Sequence, residues 1–552
     1  MKRFSHALAE DYTQYTLVEL AELYRSKQVR PTQVLEHYMA RIAQFNGPFR
    51  QYTTDAIGYN AFSQVFGDEP YVQADKADKR FALYDPVNDE PPPLLCGVPL
   101  GLKEIIYVKG WETLNGAPDF FENYVAEYDA TVVTALREQG AVLIGHTIAS
   151  RLSGDAEGGF AGNAWDSARS PGGSSQGSGV APMIRFCAAA LAGETGGSII
   201  HPGAANGASA IKPSSGLISA AGSMPLLPGV DVLGPIARSM QDAAILMNAL
   251  IGIDPKDSQT QAAPRPPLVL PTLPRQGEQP LKGITIGVPQ KDWMSRSGWS
   301  DQSPPYQSYS QHYKEAFDRL KRELSSLGAT VLEFDGLDFD DEADDPYYYA
   351  DSALLGPVDT EVFGEPREFY VSSQRAVITP YIVETPWLGE LEKFADTCPE
   401  PQREMLRRNY LVFNEPLILE GIIAKGYLAE GQRRLAQLRT NYLAALGEKN
   451  IDFMLVLPLG DHPGYKKLPV LFDLPIQRYY KDIPNAMGWP MVTFPVGHAM
   501  TEGDAPVEMP ISAAFWGPRF KDDRLVQAVI DYQAHFDYHK KMPVAKPLST
   551  ST

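Results

Sequence analysis

The sequence predicts an α/β fold, in which a mixed central β-sheet is covered by helices on both faces within a single large domain, residues 1–552. Three stretches support this prediction, because in each of them a helical pattern leads into a short apolar strand. These helix and strand pairs are 130–139 with 141–145, 309–327 with 330–334, and 428–446 with 453–457. Another apolar run, at 284–288, predicts a further buried strand.

The amino-terminal segment predicts a helical hairpin at residues 16–46. Thr16 and Glu19 have the spacing of a capping box, in which a hydroxyl and a carboxylate satisfy the first free N–H groups of a helix. Apolar residues then recur with a helical period. The same period resumes after Pro31 and ends at Asn46, which a glycine follows.

The rest of the chain changes in composition without a clear domain boundary. Residues 90–250 carry the motifs described below and are expected to form the core of the site. The Pro-rich segment 255–281 predicts a surface connection, since strands of the same character lie on both sides of it. Residues 336–425 are acidic at first and then rich in Tyr and Pro, which predicts a solvated loop with a variable helical layer. Residues 543–552 predict a flexible tail.

Charge and composition argue against several classes of protein. The formal net charge of −19 at pH 7 argues against a nucleic-acid-binding surface and against docking on anionic membranes. We find neither a secretory signal nor an apolar run of roughly eighteen residues, so we expect a cytoplasmic protein with no membrane span. The three cysteines lie far apart and in no metal-binding spacing, so no metal and no cofactor is expected.

A Gly/Ser-rich stretch holds the residues that say most about chemistry. It covers 170–179 and resumes at 193–198 after an apolar segment, so that Ser174 and Ser198 both lie beside glycines. Glycine lets the backbone approach a substrate closely and adopt torsions that a Cβ atom forbids. Successive main-chain N–H groups beside a serine can also hold a developing oxyanion. This arrangement indicates acyl transfer by a serine hydroxyl.

Residues 173–177 also fit the nucleophile-elbow pattern, with Ser175 at its centre. That pattern needs a strand directly before it and an acid and a histidine later in the chain, but residues 163–171 are polar and turn-rich. The later histidines have ordinary contexts. They are His312 and His535, predicted in helices, and His462 and His498, predicted in loops. The elbow hypothesis therefore lacks its structural context.

Without a histidine, a hydroxyl nucleophile needs another base, and Lys103 is the candidate. Lysine can act as a base when desolvation disfavours its charged form. Lys103 follows the apolar run 96–102, which would place it at the end of a buried strand. The alternative is a lysine at a strand end whose ammonium group reaches solvent. Lys103 and its neighbours alone do not decide between the two.

Taken together, the motifs resemble those of the amidase signature family, and the resemblance covers most of the chain. The similar segments are 97–103 (the family's lysine motif), 171–175 (its Gly/Ser core), 196–199 (its nucleophile segment), 211–217, 231–238 and the closing segment 488–497. Within the family, the residues from Lys103 to Gly116 look closer to the fungal acetamidase and fatty acid amide hydrolase branches.

The resemblance implies the amidase signature fold and a set of catalytic roles. Ser198 is implied to be the nucleophile that forms an acyl-enzyme. Ser174, held by a cis peptide, is implied to relay a proton between Ser198 and Lys103, the base. Because lysine titrates near 10.4 in water, the site must favour its neutral amine. The implied oxyanion hole consists of the main-chain N–H groups of Thr195, Gly196, Gly197 and Ser198. Ser175 is a second candidate for either serine role, or else a hydroxyl that orients the loop.

Three departures from the family pattern bear on the substrate. Glu194 stands where the family commonly has Asp, and Gln176 replaces a common glycine. Ile200 and His201 stand where an arginine often follows the nucleophile. Family members that bind a substrate carboxylate can use such an arginine. We therefore expect a neutral, moderately apolar small-molecule amide as the substrate.

Three functions are compatible with the resemblance. The first is cofactor-independent hydrolysis of a carboxamide to a carboxylic acid and ammonia or an amine. The second is a glutamine-dependent amidotransferase subunit, which passes ammonia to a partner's product, and the third is a non-catalytic amidase-like binding module. The variable segments 120–165 and 336–425 are expected to build the acyl pocket, and a homodimer is possible.

Overall fold

The computed structural model describes ten segments of the chain. They are residues 10–121, 123–154, 159–224, 229–289, 309–334, 354–362, 365–372, 416–467, 484–503 and 505–546. Most of the predicted layer 336–425 lies outside the described residues, as does the predicted tail beyond residue 546.

Eleven of the described strands form one mixed sheet, which confirms the predicted fold class. In chain order the strands are β1 (Phe62–Val65), β2 (Pro99–Lys103), β3 (Val142–Thr147), β4 (Ala189–Glu194), β5 (Ser209–Lys212), β6 (Val232–Ala237), β7 (Thr285–Pro289), β8 (Thr330–Phe334), β9 (Leu354–Val362), β10 (Glu365–Ser372), β11 (Phe453–Val456), β12 (Met491–Met500) and β13 (Glu508–Trp516). Their order across the sheet is β1-β3-β2-β4-β6-β5-β12-β13-β11-β7-β8, and β9 pairs only with β10.

The helices of the described residues alternate with these strands. They are α1 (Leu17–Arg25), α2 (Pro31–Phe45), α3 (Glu69–Leu83), α4 (Pro118–Phe121), α5 (Thr131–Gln139), α6 (Gln176–Met183), α7 (Ile200–Asn206), α8 (Met240–Asn248), α9 (Gln311–Ser326), α10 (Pro416–Ala424), α11 (Tyr427–Glu448) and α12 (Asp522–His535). The predicted helix and strand pairs all occur within a few residues of their expected bounds. Among the described helices, none is long and apolar enough to cross a membrane.

The strand group β3-β2-β4 positions the candidate site. All three strands are parallel, so their carboxyl ends meet at one edge of the sheet. Every residue of β2, β3 and β4 is buried. Since successive side chains point to opposite faces of a strand, both faces of the sheet are covered here. Lys103 is the last residue of β2 and Glu194 the last of β4, so both lie at the same edge.

The predicted amino-terminal hairpin is present as α1 and α2. The Thr16 hydroxyl accepts a hydrogen bond from the main-chain N–H of Glu19, and the Glu19 carboxylate accepts one from the N–H of Thr16 at 2.7 Å. This confirms the capping box that the sequence predicts. Pro31 is the first residue of α2, where its missing N–H costs no helical hydrogen bond.

Arg238 and Asp242 fasten the chain before the hairpin to the core. Both side chains are buried. Arg238 donates hydrogen bonds to the main-chain oxygens of three consecutive residues, Thr13, Gln14 and Tyr15. The Asp242 carboxylate accepts a hydrogen bond from the N–H of Leu17 at 3.1 Å. Because a buried guanidinium needs partners for its N–H groups, this contact stabilises both segments.

The segment 255–281 is a surface connection that side chains of α8 and α12 hold, and its contact with Asn248 of α8 is the one described next. Asn248 pairs with the main chain of Leu270 through two hydrogen bonds, of 2.8 and 2.9 Å. Val269 and Leu273, on either side of this contact, are 74% and 70% exposed. The connection therefore follows the surface while strands of the same sheet lie before and after it.

Two local predictions were wrong. The described part of 336–425 begins with an antiparallel pair of strands, β9 and β10, where we expected loops and helices, although α10 in the same segment is helical as expected. β-branched and aromatic residues, such as Val358, Thr360 and Tyr370, favour strands there and outweigh the acidic, Pro-rich composition. His498 lies in β12 instead of a loop, because that strand continues to Met500.

Candidate active site

Lys103 lies at the carboxyl end of β2 and its side chain is only 1% exposed. Its Nζ atom donates a hydrogen bond to the Ser174 hydroxyl at 2.7 Å and contacts the Gly193 carbonyl oxygen at 3.4 Å. The alternative interpretation, an ammonium group that reaches solvent, is therefore wrong. The structure brings the candidate base and the candidate relay serine into direct contact.

Ser174 lies in a tight turn just before α6. The peptide bond between Gly173 and Ser174 is cis, as the resemblance implied. Gly172 has a φ of +73°, and a Cβ atom at this position would lie 2.9 Å from the main chain of His201. Only glycine fits this conformation and this close approach. The turn delivers the Ser174 side chain to Lys103 and leaves it 1% exposed.

Ser175 points to the main chain of β4 instead of the other candidate side chains. Its hydroxyl donates to the carbonyl oxygen of Gly193 at 3.0 Å, and the N–H of Gly193 lies 3.4 Å from the same hydroxyl oxygen. Helix α6 starts at Gln176, and no strand occurs at 163–171, so the nucleophile-elbow context is absent from this described part of the chain. The geometry favours the role of a hydroxyl that orients the loop.

Ser198 lies in the turn between β4 and α7 and is partly exposed. Gly197, before it, has a φ of +106°, which favours glycine. Among the described residues, no hydrogen bond joins the Ser198 hydroxyl to Lys103 or Ser174. Within the same described part, the main-chain N–H groups of Thr195, Gly197 and Ser198 have no acceptor. The turn thus presents a hydroxyl together with main-chain donors.

Glu194 fixes this turn from behind. Its carboxylate is 2% exposed and accepts hydrogen bonds from the N–H groups of Ile199, at 2.8 Å, and Ile200, at 3.0 Å. The other carboxylate oxygen accepts one from the Asn485 side chain at 3.0 Å. The longer acid that departs from the family pattern therefore reaches past Ser198 to the start of α7. A second contact, from the Thr195 hydroxyl to the Asp231 carboxylate, holds the other side of the turn.

Gln176, the second departure from the family pattern, connects two loops to the start of α6. Its side-chain oxygen accepts hydrogen bonds from the N–H groups of Phe160 and Ala161, at 2.8 and 3.0 Å. Its Nε2 atom donates to the Ser150 hydroxyl at 2.9 Å. The common glycine could make none of these contacts. Gln176 therefore adds rigidity next to Ser174.

Glu104, directly after Lys103, is a fully buried acid. Its Oε1 atom accepts hydrogen bonds from the N–H groups of Gly116 and Ala149, both at 2.8 Å, and its Oε2 atom accepts one from the Tyr52 hydroxyl at 2.8 Å. Burial raises the pKa of the Glu104 carboxyl, and these hydrogen bonds partly oppose that rise.

A second buried lysine, Lys212, lies at the end of β5. Its Nζ atom donates a hydrogen bond to the carbonyl oxygen of Trp489 at 2.5 Å. Burial lowers the pKa of Lys212 to about 8, although the carboxylates of Glu194 and Asp522 act in the opposite direction. Lys212 and Glu194 therefore lie close enough to interact electrostatically. Among the described residues there is no group of three or more His, Cys, Asp or Glu side chains that could hold a metal ion.

Comparison with known proteins identifies the family. The sequence model of the family described as Amidase matches residues 49–526. The chain belongs to the amidase family. Members and relatives of this family cleave amides, so the chain is an enzyme of the amidase type, which goes against the hypothesis of a non-catalytic binding module.

Two similar curated proteins carry the name of an amidotransferase subunit. The chain is 28% identical to the A subunit of the glutamyl-tRNA(Gln) amidotransferase of Coxiella burnetii, over 96% of this chain and 99% of that protein. It is 27% identical to the protein of the same name from Methylobacillus flagellatus, over 96% of this chain and 98% of that protein. The narrower resemblance to the fungal acetamidase and fatty acid amide hydrolase branches stays a prediction.

Solved structures of other amidases share the fold. A peptide amidase in complex with the competitive inhibitor chymostatin matches with a TM-score of 0.69 and 21% identity, over 97% of this chain and 99% of that chain. The A subunit of the glutamyl-tRNA(Gln) amidotransferase of Thermotoga maritima matches with a TM-score of 0.64 and 20% identity, over 99% of this chain and all of that chain. At these identities the similarity establishes the fold alone.

Sequence reasoning did not identify the residues that support the candidate triad. Glu104 follows Lys103 directly, and Asp231 opens a motif that resembles the family, so proximity to a motif could have indicated both. Asn485 is far from every motif residue that it supports, and no signal in the sequence links it to Glu194.

Proposed function

We propose that this amidase hydrolyses carboxamides through an acyl-enzyme, with Ser198 as nucleophile, Ser174 as proton relay and Lys103 as base. The observation that carries the proposal is the 2.7 Å hydrogen bond between the buried Lys103 amine and the Ser174 hydroxyl, at the sheet edge where the Ser198 turn follows β4. A base, a relay and a partly exposed hydroxyl thus come from adjacent parallel strands and the turns beside them.

The chemistry runs through two acyl-transfer steps. As the Ser198 oxygen attacks the amide carbon, its proton passes to Ser174, and the proton of Ser174 passes to the uncharged Lys103 amine. Collapse of the tetrahedral intermediate breaks the C–N bond, and the leaving ammonia or amine takes that proton back through Ser174. Water then attacks the ester by the same route, which releases the carboxylic acid and restores Ser198.

Main-chain donors of the 195–198 turn would stabilise the oxyanion in both steps. The proposed oxyanion hole is formed by the N–H groups of Thr195, Gly196, Gly197 and Ser198. Gly197 gives the turn its left-handed torsion, and the contacts of Glu194 and Asp231 limit its motion. Removal of one such donor from an enzyme typically costs about 100-fold or more in kcat.

We propose a neutral, moderately apolar small-molecule amide as the substrate. The residues after Ser198, Ile200 and His201, offer no guanidinium for a substrate carboxylate. Arg151 follows Ser150, whose N–H contacts Ser174. Its guanidinium group already pairs with both oxygens of the Asp119 carboxylate, with N–O distances of 2.7 and 2.5 Å. Variable segments 120–165 and 336–425 are proposed to form the acyl pocket. Cytoplasmic location and a homodimer also stay predictions.

The test compares Ser198→Ala with the matched variant Ser175→Ala on amides graded by acyl length. Ser198→Ala should have no detectable turnover and no labelling by a fluorophosphonate probe, while circular dichroism and Tm stay near those of the wild type. Ser175→Ala should keep turnover within about tenfold, because its hydroxyl only orients a loop. Near wild-type turnover in Ser198→Ala would contradict the proposed nucleophile. A preference of the wild-type enzyme for dicarboxylic monoamides would contradict the proposed substrate class.

A second candidate is a glutamine-dependent amidotransferase subunit. The curated relatives described above carry the name of a glutamyl-tRNA(Gln) amidotransferase and match over almost their whole length. The absence of an arginine after Ser198 makes this the less favoured function. If it were correct, the isolated chain would prefer glutamine over neutral amides and would need partner subunits for full turnover. A low kcat/KM for glutamine, unchanged when partner subunits are added, would exclude it.

A further inference from the structure

Hydrogen bonds and covalent bonds link Lys103, Ser174, the loop 149–150 and Glu104 in a closed ring. Lys103 donates to the Ser174 hydroxyl at 2.7 Å, and the Ser174 carbonyl oxygen accepts a hydrogen bond from the N–H of Ser150 at 2.9 Å. The preceding residue, Ala149, donates its N–H to Glu104 at 2.8 Å. Glu104 is joined to Lys103 by a peptide bond, which closes the path.

The Glu104 carboxylate holds the loop after β3 by accepting hydrogen bonds from main-chain N–H groups. Its Oε1 atom faces the N–H groups of Gly116 and Ala149, which can only donate. A Cβ atom at Gly116 would lie 2.5 Å from the Ser150 carbonyl, so the two loops touch. The N–H of Leu152 also donates to the Asn115 carbonyl oxygen at 2.8 Å. Neither loop can move without the other.

We infer that Glu104 is a positioning residue for the proposed reaction, which holds the loop 149–150 so that its main chain fixes Ser174 against Lys103. The inference rests on the proposed function. Its physical basis is that the relay needs both of its hydrogen bonds, from hydroxyl to hydroxyl and from hydroxyl to amine, to stay within reach while protons move. A displacement of about 1 Å at such a site can cost about 100-fold in rate.

The first experiment separates geometry from charge at Glu104. Glu104→Gln keeps an oxygen that accepts from both main-chain N–H groups, and the Tyr52 hydroxyl can rotate to accept from the new amide. We expect kcat of Glu104→Gln to stay within about fivefold of wild type, whereas Glu104→Ala should lose about 100-fold in kcat with KM within about threefold. The control is Asp242→Ala, which removes a buried acid whose carboxylate accepts a hydrogen bond from the N–H of Leu17 and lies near Arg238, and which should leave kcat unchanged.

A second pair of variants tests the same path if Glu104→Ala fails to fold. Ser150 has a φ of −63°, the value that proline requires, so Ser150→Pro deletes the N–H that holds Ser174 without changing this torsion. Ser150→Pro should lower kcat by at least about 10-fold, and Ser150→Ala, which keeps the N–H, by less than about threefold.

The inference is overturned if Glu104→Gln loses as much kcat as a folded Glu104→Ala, because charge would then matter and not position. It is also overturned if Ser150→Pro and Ser150→Ala have equal kcat. A wild-type enzyme that cleaves no amide and takes up no fluorophosphonate would instead refute the proposed function. The two failures are therefore distinguishable.

Discussion

Two buried acids at the ends of adjacent parallel strands use the same device on the two halves of the candidate site. On the lysine side, Glu104 accepts two main-chain N–H groups on one oxygen and the Tyr52 hydroxyl on the other. On the nucleophile side, Glu194 accepts two main-chain N–H groups on one oxygen and the Asn485 amide on the other. Each acid fixes a turn that neither α-helix nor β-sheet hydrogen bonds stabilise.

The two acids differ in their electrostatic surroundings. Glu194 lies close enough to Lys212 for its charge to raise the pKa of that lysine against the larger effect of burial. For Glu104 the described hydrogen-bond partners are neutral, and burial raises the pKa of its carboxyl. The nucleophile side is thus held partly by charge, whereas the lysine side is held by neutral donors.

The largest effect that tests this comparison is expected for Glu194→Ala. The change frees the N–H groups of Ile199 and Ile200 and the Asn485 amide, so the turn that carries Ser198 loses its support. We expect kcat to fall about 100-fold or more, with a matching fall in the rate of fluorophosphonate labelling. Steady-state kinetics and a labelling time course measure both quantities.

Glu194→Asp is the matched variant, because it keeps the charge and shortens the side chain by one methylene. Its kcat should lie between those of Glu194→Ala and wild type. If Glu194→Ala labelled as fast as wild type, Glu194 would have no part in positioning Ser198, and the parallel with Glu104 would fail.

An intermediate effect is expected for the pH dependence of stability through Lys212. Its pKa is about 8 in the folded protein and ordinarily 10.5, so the unfolded chain binds more protons between these values and stability rises with pH. Lys212→Met removes this contribution. The free energy of unfolding of Lys212→Met minus that of wild type should therefore decrease by about 3 kcal/mol from pH 8 to pH 10.5.

Denaturant unfolding at several pH values measures this difference, with Lys76→Met as the control at an exposed lysine. The control should give a difference that does not change with pH. A constant difference for Lys212→Met as well would mean that Lys212 keeps an ordinary pKa, and that charge does not distinguish the two sides.

The smallest effects are expected for the outer partners of the two acids. Tyr52→Phe removes one neutral hydrogen bond to Glu104 and should lower the free energy of unfolding by about 1 kcal/mol, with kcat within about threefold. Asn485→Leu should destabilise more, since it leaves a buried carboxylate oxygen of Glu194 with one donor fewer beside a charged lysine. Equal losses in the two variants would contradict the proposed difference between the sides.

The sequence was sufficient for the parts of the site that local patterns determine. Alternating helices and apolar strands predicted the mixed sheet, and the apolar run before Lys103 predicted a buried strand end. The Gly/Ser segments predicted backbone torsions that a Cβ atom forbids, and Gly172 and Gly197 have such torsions. The hypothesis that Ser175 orients the loop also agrees with its contacts to Gly193.

Contacts between residues far apart in the chain could not be predicted from the sequence. Glu104 and Tyr52, or Glu194 and Asn485, become neighbours only when the strand order is known. The sequence shows Glu194 as a longer acid that departs from the family pattern beside the nucleophile turn, but the reach of its side chain cannot be judged without the position of α7. The strand pair of β9 and β10 was not predicted, because its β-branched and aromatic residues lie in a segment with the acidic, Pro-rich composition of a loop.

The contact of Arg238 with the main chain of residues 13–15 limits how the protein can be engineered. A deletion that extends past Tyr15 would remove the three carbonyl oxygens that bind Arg238 and leave its buried guanidinium group without these acceptors. Trimming for crystallisation or for fusion to another protein should therefore stop short of Asp11, which forms an ion pair with Arg185.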